Sequence, residues 1–149
     1  MNNWQKYQKT LLEYLNRIGE SKIIQFADEI MDAEYVWILG NGASMSNSQH
    51  FACDLLKSAG IKAMALSDIA LLTASANDCG YDNSFKVGAS MLVGRNDAVI
   101  GISVSGKSRN VLNVFKAVSY QCMKLALVGV KNSPIDKSAN VSIAVGSGD

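Results

Sequence analysis

The apolar positions of the chain fall into two patterns that take turns. From Trp4 to Ile18, the residues Trp4, Tyr7, Leu11, Leu12, Tyr14, Leu15 and Ile18 recur at three- and four-residue spacing, which predicts an amphipathic helix. Ser21 to Met31 predicts a second, with Ile23, Ile24, Phe26, Ala27, Ile30 and Met31 apolar and Ser21 as its N-cap. The period then changes. Tyr35–Leu39 is a continuous apolar run, the pattern of a strand buried on both faces of a parallel sheet. The two patterns alternate from there on. Helix Met45–Ser58, ended by Gly60, leads to strand Ile61–Leu66. Helix Ser67–Asn77, capped by Ser67, and helix Ser84–Leu92 lead to strand Asp97–Ser103. Helix Asn110–Cys122, strand Lys124–Val130, a short helical turn over Ser133–Ser138 and strand Val141–Val145 complete the series.

Strands alternating with helices predict a three-layer α/β fold with right-handed crossovers. The two helices ahead of the first strand are additions to a minimal domain of this type. The aromatic-rich stripe of the first helix either packs on the domain or forms a dimer surface. Folds of this class bind ligands at the carboxyl ends of their strands. Two glycine- and serine-rich loops lie on that edge, Gly40–Ser44 after the first strand and Gly101–Ser108 after the third. Past the fifth strand the sequence reads Gly146-Ser147-Gly148-Asp149, with no helix to cover one face of that strand. Either a partner subunit covers it or the chain is shorter than its fold requires.

Composition narrows the field. The 149 residues fit one domain with a sizeable core. Net charge is +1, so there is no electrostatic case for nucleic acid or a membrane surface as partner. No apolar run approaches the ~20 residues of a membrane helix. The N-terminal stretch does not have the pattern of a signal peptide. Cys53, Cys79 and Cys122 are odd in number and scattered, which favours reduced thiols in a cytoplasm over a disulfide framework. Cys53 is expected in the core, because it points about 100° around the helix from Asp54.

Candidate chemistry lies in three places. Gly101-Ile102-Ser103-Val104-Ser105-Gly106-Lys107-Ser108 sits at a strand–turn–helix junction. Its hydroxyls, its backbone N–H groups and the positive end of the helix dipole suit a phosphate. The same eight residues match the nucleotide-binding pattern G-x-x-x-x-G-K-[ST]. That reading is set aside. Ile102 and Val104 alternate with Ser103 and Ser105 as in a continuing strand, and no other strand ends in an Asp to hold Mg²⁺. A capped loop that binds nothing is the bland alternative. His50 and Asp54, four residues apart, share a helix face. The spacing suits two ligands of one metal, a base beside its orienting partner, or a plain surface pair. Asn77-Asp78-Cys79-Gly80 ends a helix, where Asn77 and Asp78 either cap the turn or hold sugar hydroxyls.

Taken together, Gly40-Asn41-Gly42-Ala43-Ser44, Gln49-His50-Phe51-Ala52, Asn77-Asp78-Cys79-Gly80-Tyr81 and Gly101–Ser108 resemble the SIS (sugar isomerase) family. The branch they resemble most is the phosphoheptose isomerases, which convert sedoheptulose 7-phosphate to a heptose 7-phosphate. The initiator-associating SIS proteins are near relatives. The resemblance implies a doubly wound five-stranded parallel sheet in one SIS domain, with residues 1–33 as oligomerisation helices and 34–149 as the phosphosugar-binding core. It implies a homo-oligomer, dimer or tetramer, held partly by the N-terminal helices. Ser103, Ser105 and Ser108, with the backbone of Val104, would line the phosphate site. Asn41, Gly42, Ala43, Ser44, Asn77 and Asp78 would surround the sugar. His50 matches a metal and active-site position, and Asp54 stands where the isomerases carry a Glu that is metal ligand and acid/base. Zinc is the metal so implied, held by His50 and Asp54. Leu55-Leu56-Lys57-Ser58 occupy the place of a family Arg, with Lys57 as substitute charge. The family's C-terminal helix, with a Gln and a His for the site, is not within the sequence to Asp149. Two readings follow. One is a phosphosugar aldose–ketose isomerase with Asp54 as base and Lys107 incidental. The other is a non-catalytic phosphosugar-binding or protein-interaction module, including the initiator-associating type.

Overall fold

The computed structural model describes residues 1–146, and residues 147–149 of the C-terminal stretch lie outside the described residues. Five strands form one all-parallel sheet: β1 (Val36–Gly40), β2 (Ala63–Ala65), β3 (Ala98–Ser103), β4 (Met123–Val128) and β5 (Val141–Ala144). Their order is β2-β1-β3-β4-β5. One row of paired residues crosses the whole sheet: Ala65, Ile38, Ile100, Leu125 and Val141. Strand order reverses between β1 and β3, which makes the sheet doubly wound and puts the topological switch point between those two strands.

Helices cover both faces. On one, Val36, Ile38, Ala98, Ile100, Leu125 and Val141 pack against Phe26 and Ile30 of α2 (Glu20–Met31) and Ala52 and Leu55 of α3 (Ala43–Ala59). On the other, Trp37, Leu39, Val99, Ala126 and Val128 pack against α5 (Ser84–Leu92), α6 (Arg109–Ala117) and α7 (Pro134–Ser138). Successive side chains of β1 therefore enter opposite cores, which is why its sequence is apolar without alternation. Each fully buried aliphatic side chain contributes about 1.5–3 kcal/mol.

A carboxylate at the edge of this core has a structural task. Asp97 is 7% exposed and accepts from the Trp37 indole Nε1–H at 2.9 Å and from the Gly94 N–H at 2.7 Å. It ties the turn before β3 to β1. Burial, with the Asp97 carboxylate as the second cause, pushes the Cys122 thiol up to about 11.

Several boundaries differ from the expectation. Gly19, not Ser21, stands at the N-cap of α2, and Ser21 lies in its first turn. The cap of α4 (Ile69–Cys79) is Asp68, whose carboxylate accepts from the Leu71 N–H at 2.7 Å. Ser67 instead accepts from Gln49 Nε2 at 3.1 Å. α3 begins at Ala43, ahead of Met45. β2 keeps only three residues and lies at the sheet edge, where Met64 is exposed. β4 ends at Val128, and the Gly129 N–H just beyond it donates to the Val104 carbonyl at 2.9 Å. α6 stops at Ala117, well before Cys122. Val118 is extended, with ψ 156°, and the Ser119 carbonyl accepts from the Cys122 N–H at 3.1 Å. Cys53 is exposed, not core. α3 turns Ser48, Ala52 and Leu55 inward, and one residue beyond Ala52 is a rotation of about 100° away from that face.

The first helix, α1 (Asn3–Asn16), starts with a capping box between Asn2 and Gln5 and buries no residue. Trp4, Tyr7, Leu11, Leu12 and Leu15 are all exposed, so its stripe does not pack on its own domain. No helix of the described residues is long and apolar enough to cross a membrane.

Candidate functional site

The switch point opens into a cleft of about 570 Å³. Asn41, Ala43 and Ser44 line it from the β1–α3 junction. Ile102, Ser103, Val104, Ser105, Lys107 and Ser108 line it from the β3–α6 junction, with Val130 beyond β4. Two glycines make the convergence possible. A Cβ on Gly40 would come within 2.7 Å of Ser44 Cβ and 2.9 Å of the Ile102 carbonyl oxygen, so only glycine lets α3 begin this close to β3. Gly106 sits at φ 63°, where an L side chain is strained, and a Cβ there would overlap the Ser133 side chain.

The serine loop is built on its own hydrogen bonds. The Gly106 N–H donates to Ser103 Oγ at 3.1 Å and the Lys107 N–H to Ser105 Oγ at 3.2 Å. The Ser103 and Ser108 hydroxyls are 3.1 Å apart. The Ile135 N–H donates to the Gly106 carbonyl at 3.0 Å, stitching the loop to α7. Two helix N-termini meet at the cleft. The N-caps are Gly42 for α3 and Ser108 for α6, and neither supplies a side-chain hydrogen bond to its own helix. Two positive dipole ends therefore lie at the same cleft. Lys107 is the one cation among the lining residues. Hydroxyls, N–H groups, dipole ends and an ammonium make a receptor for an anion such as phosphate.

Of the residues expected at the site, Asn41, Ala43, Ser44, Ser103, Val104, Ser105 and Ser108 come together in the cleft wall, and Gly42 lies between two of them. Lys107, read from sequence as incidental, is in the wall too. Asn77 and Asp78 are not among the lining residues. They lie at the exposed end of α4, with Asn77 Nδ2 donating to Asp78 Oδ1 at 2.9 Å. His50 and Asp54 also stand outside the cleft wall. His50 Nε2 and Asp54 Oδ2 are 3.4 Å apart on the outer face of α3, with side chains 82% and 56% exposed.

The sequence marks Asn110 locally as no more than a helix start. It is 2% exposed and exchanges two amide hydrogen bonds with Asn41. The available signal was an amide beside Val111, Val114 and Phe115, the buried residues of the same helix. The nucleotide-loop reading fails on geometry. Gly101 lies inside β3, so the excursion between strand and helix is only Val104–Ser108. Zinc needs three or four ligands. His50 and Asp54 are two, and no group of three His, Cys, Asp or Glu converges among the described residues. Within one chain the described residues do not make up a zinc site.

Comparison with known proteins agrees with this geometry. The SIS domain family matches residues 3–129. A phosphoheptose isomerase of Helicobacter pylori (strain ATCC 700392 / 26695) is 39% identical over 145 residues, covering 93% of this chain and 76% of that one. One from Campylobacter concisus (strain 13826) is 32% identical over 157 residues, covering 99% and 83%. The structure of phosphoheptose isomerase from Neisseria gonorrhoeae superposes with a TM-score of 0.86 at 27% identity, covering 95% of this chain and 82% of that one. That of Francisella tularensis gives 0.86 at 25% identity, covering 100% and 88%. A sheet of this order, a serine-lined cleft at its switch point and relatives matched along almost the whole chain lead to one conclusion: the chain belongs to the SIS domain family.

Proposed function

We propose that the protein is a phosphosugar aldose–ketose isomerase of the phosphoheptose isomerase type, acting on sedoheptulose 7-phosphate. The observation that carries this reading is the cleft at the switch point, about 570 Å³, which serine hydroxyls line and at which two helices begin. Ser103, Ser105, Ser108 and the Val104 backbone take the phosphate. Asn41, Gly42, Ala43 and Ser44 take the sugar next to it, and Asn77 and Asp78 bind its far hydroxyls. The reaction moves one proton between neighbouring carbons and one between their oxygens. A carboxylate removes the proton from the carbon alpha to the carbonyl, giving an enediolate, and returns it to the neighbouring carbon, while the hydroxyl proton of the first carbon passes to the former carbonyl oxygen. Asp54 is the base, and His50, 3.4 Å away, is its proton partner.

In one chain the His50–Asp54 pair points outward, away from the cleft wall. This favours a homo-oligomer in which the pair works at a contact between copies. The unburied stripe of α1 supplies a surface for such assembly. A sedimentation run that finds only monomer would sink this part. We read residues 1–33 as the oligomerisation helices and 34–149 as the core of one SIS domain. The protein is read as cytoplasmic, in keeping with its three free cysteines.

A thermal-shift titration tests the binding step. Sedoheptulose 7-phosphate raises the melting temperature of the wild type, and Ser108→Ala reduces the shift to within error. An equal shift in both proteins contradicts the assignment of the phosphate loop.

A further inference from the structure

Asn41 lines the cleft, and its side-chain amide has an orientation set from outside it. The polarity is set by a group that can only donate, the backbone N–H of Val111. That N–H donates to Asn110 Oδ1 at 3.1 Å. Oδ1 of Asn110 is thereby fixed as the oxygen, and its Nδ2 must point the other way, toward Asn41 Oδ1 at 2.8 Å and Ser84 Oγ at 3.3 Å. Asn41 Nδ2 in turn donates to Asn110 Oδ1 at 2.9 Å. The Tyr81 hydroxyl, 3.0 Å from Asn41 Oδ1, meets an atom that only accepts, so the phenol is the donor. Both lone pairs of the Asn41 oxygen are then taken. One Nδ2–H of Asn41 is taken as well, and one remains.

We propose that Asn110 and Tyr81 are positioning residues for Asn41, Asn110 fixing the polarity of its amide and Tyr81 occupying the second lone pair of its oxygen, so that Asn41 meets the substrate only as a hydrogen-bond donor and selects a sugar oxygen as its partner. This rests on the phosphosugar reading of the cleft. Asn110 is 2% exposed and is not part of the cleft wall, so it acts through Asn41. Tyr81 belongs to a 3₁₀ turn, Tyr81–Asn83, that is held on the helix carrying Asn110. The Arg109 guanidinium lies 3.4 Å from Asp82 Oδ2, and Asn113 Nδ2 donates to the Asp82 carbonyl at 2.8 Å. The phenol is therefore anchored on α6, the helix that also orients Asn110. The donor left on Asn41 matches a hydroxyl lone pair or the carbonyl oxygen of an open-chain ketose. It does not match a group that can only donate.

The test is solution NMR of the Asn41 side-chain amide, its cross-peaks identified by their loss in Asn41→Asp. Tyr81→Phe is the main variant, because Tyr81 is 63% exposed and its loss does not threaten folding. Asn110→Asp is the second, since it keeps the acceptor for Val111 and loses the donor to Asn41. In the unliganded protein both variants shift the Asn41 cross-peaks. Sedoheptulose 7-phosphate moves one Asn41 amide proton of the wild type downfield, whereas inorganic phosphate, which fills only the serine loop, leaves it in place. Tyr81→Phe weakens the sugar phosphate about 5–10-fold, the worth of one hydrogen bond, and changes inorganic phosphate affinity by less than about twofold. Asn41 cross-peaks unmoved by Tyr81→Phe overturn the proposal, as does sugar phosphate that binds without moving either amide proton. Binding with these shifts but no turnover would leave the proposal standing and remove the isomerase reading instead.

Discussion

Replacing Gly106 by Ala probes the loop on which the cleft depends. The backbone there has φ 63°, and a non-glycine residue in that region costs about 1–2 kcal/mol. The new methyl also overlaps Ser133, whose Oγ accepts from the Asp136 N–H at 3.4 Å and caps α7. Forcing packed groups apart costs about 1–3 kcal/mol. The sum, about 2–5 kcal/mol, lowers the melting temperature of a chain this size by about 5–15 °C. A second substitution separates the two causes. Ser133→Gly removes both side-chain atoms that the methyl meets and leaves only Ser133 Cα, at an ordinary 3.8 Å. Glycine is itself an acceptable N-cap, at a cost of a few tenths of about 1 kcal/mol. Gly106→Ala combined with Ser133→Gly thus recovers roughly half of the loss, with the backbone strain remaining. Differential scanning calorimetry of the three variants reads this directly. Gly106→Ala melting within about 1 °C of wild type, or no recovery in the double variant, refutes the account of this loop.

Other consequences are independent of the loop. Asp97→Ala leaves the Trp37 indole N–H and the Gly94 N–H without their shared acceptor, and urea denaturation shows a loss of about 2–4 kcal/mol, with Asp97→Asn losing less. In native protein a thiol reagent modifies exposed Cys53 and Cys79 promptly and Cys122 only on unfolding, as peptide mapping by mass spectrometry reports. Because the folded-state pKa of Cys122 is raised from 9.0 to about 11, ionisation favours the unfolded chain. Its contribution to stability is complete below pH 9 and is lost as pH rises to about 11, and Cys122→Ala flattens that fall in denaturation midpoint.

Much of the fold was legible because burial on both faces leaves an unbroken signature. Tyr35–Leu39 and Ala98–Ile100 carry no polar residue, and nothing in a half-exposed strand looks like that. The serine loop was legible for a related reason, since hydroxyls and glycine crowd one strand–helix junction. Element ends were harder. Val118 continues the apolar pattern of α6 yet is extended, because its side chain packs into the core without the helix. Cys53 looked like core from its position beside Asp54, but the inward face of α3 is set by Ala52 and Leu55. The amide network was out of reach for a different reason. Asn41 lies 40 residues from Tyr81 and 69 from Asn110, and only the packing of α6 and the 3₁₀ turn against the β1 loop brings them together. Side chains whose role depends on such distant partners leave no local periodicity to read.

In the proposed reaction a sugar phosphate bound in this cleft is isomerised as a proton moves between adjacent carbons. The most direct measurement is NMR of sedoheptulose 7-phosphate incubated with the protein in deuterated water. The expected result is a new aldose heptose 7-phosphate with deuterium at carbon 2, and loss of both in Asp54→Asn while ligand-induced thermal stabilisation persists. Saturating binding with neither product nor deuterium in the wild type contradicts it.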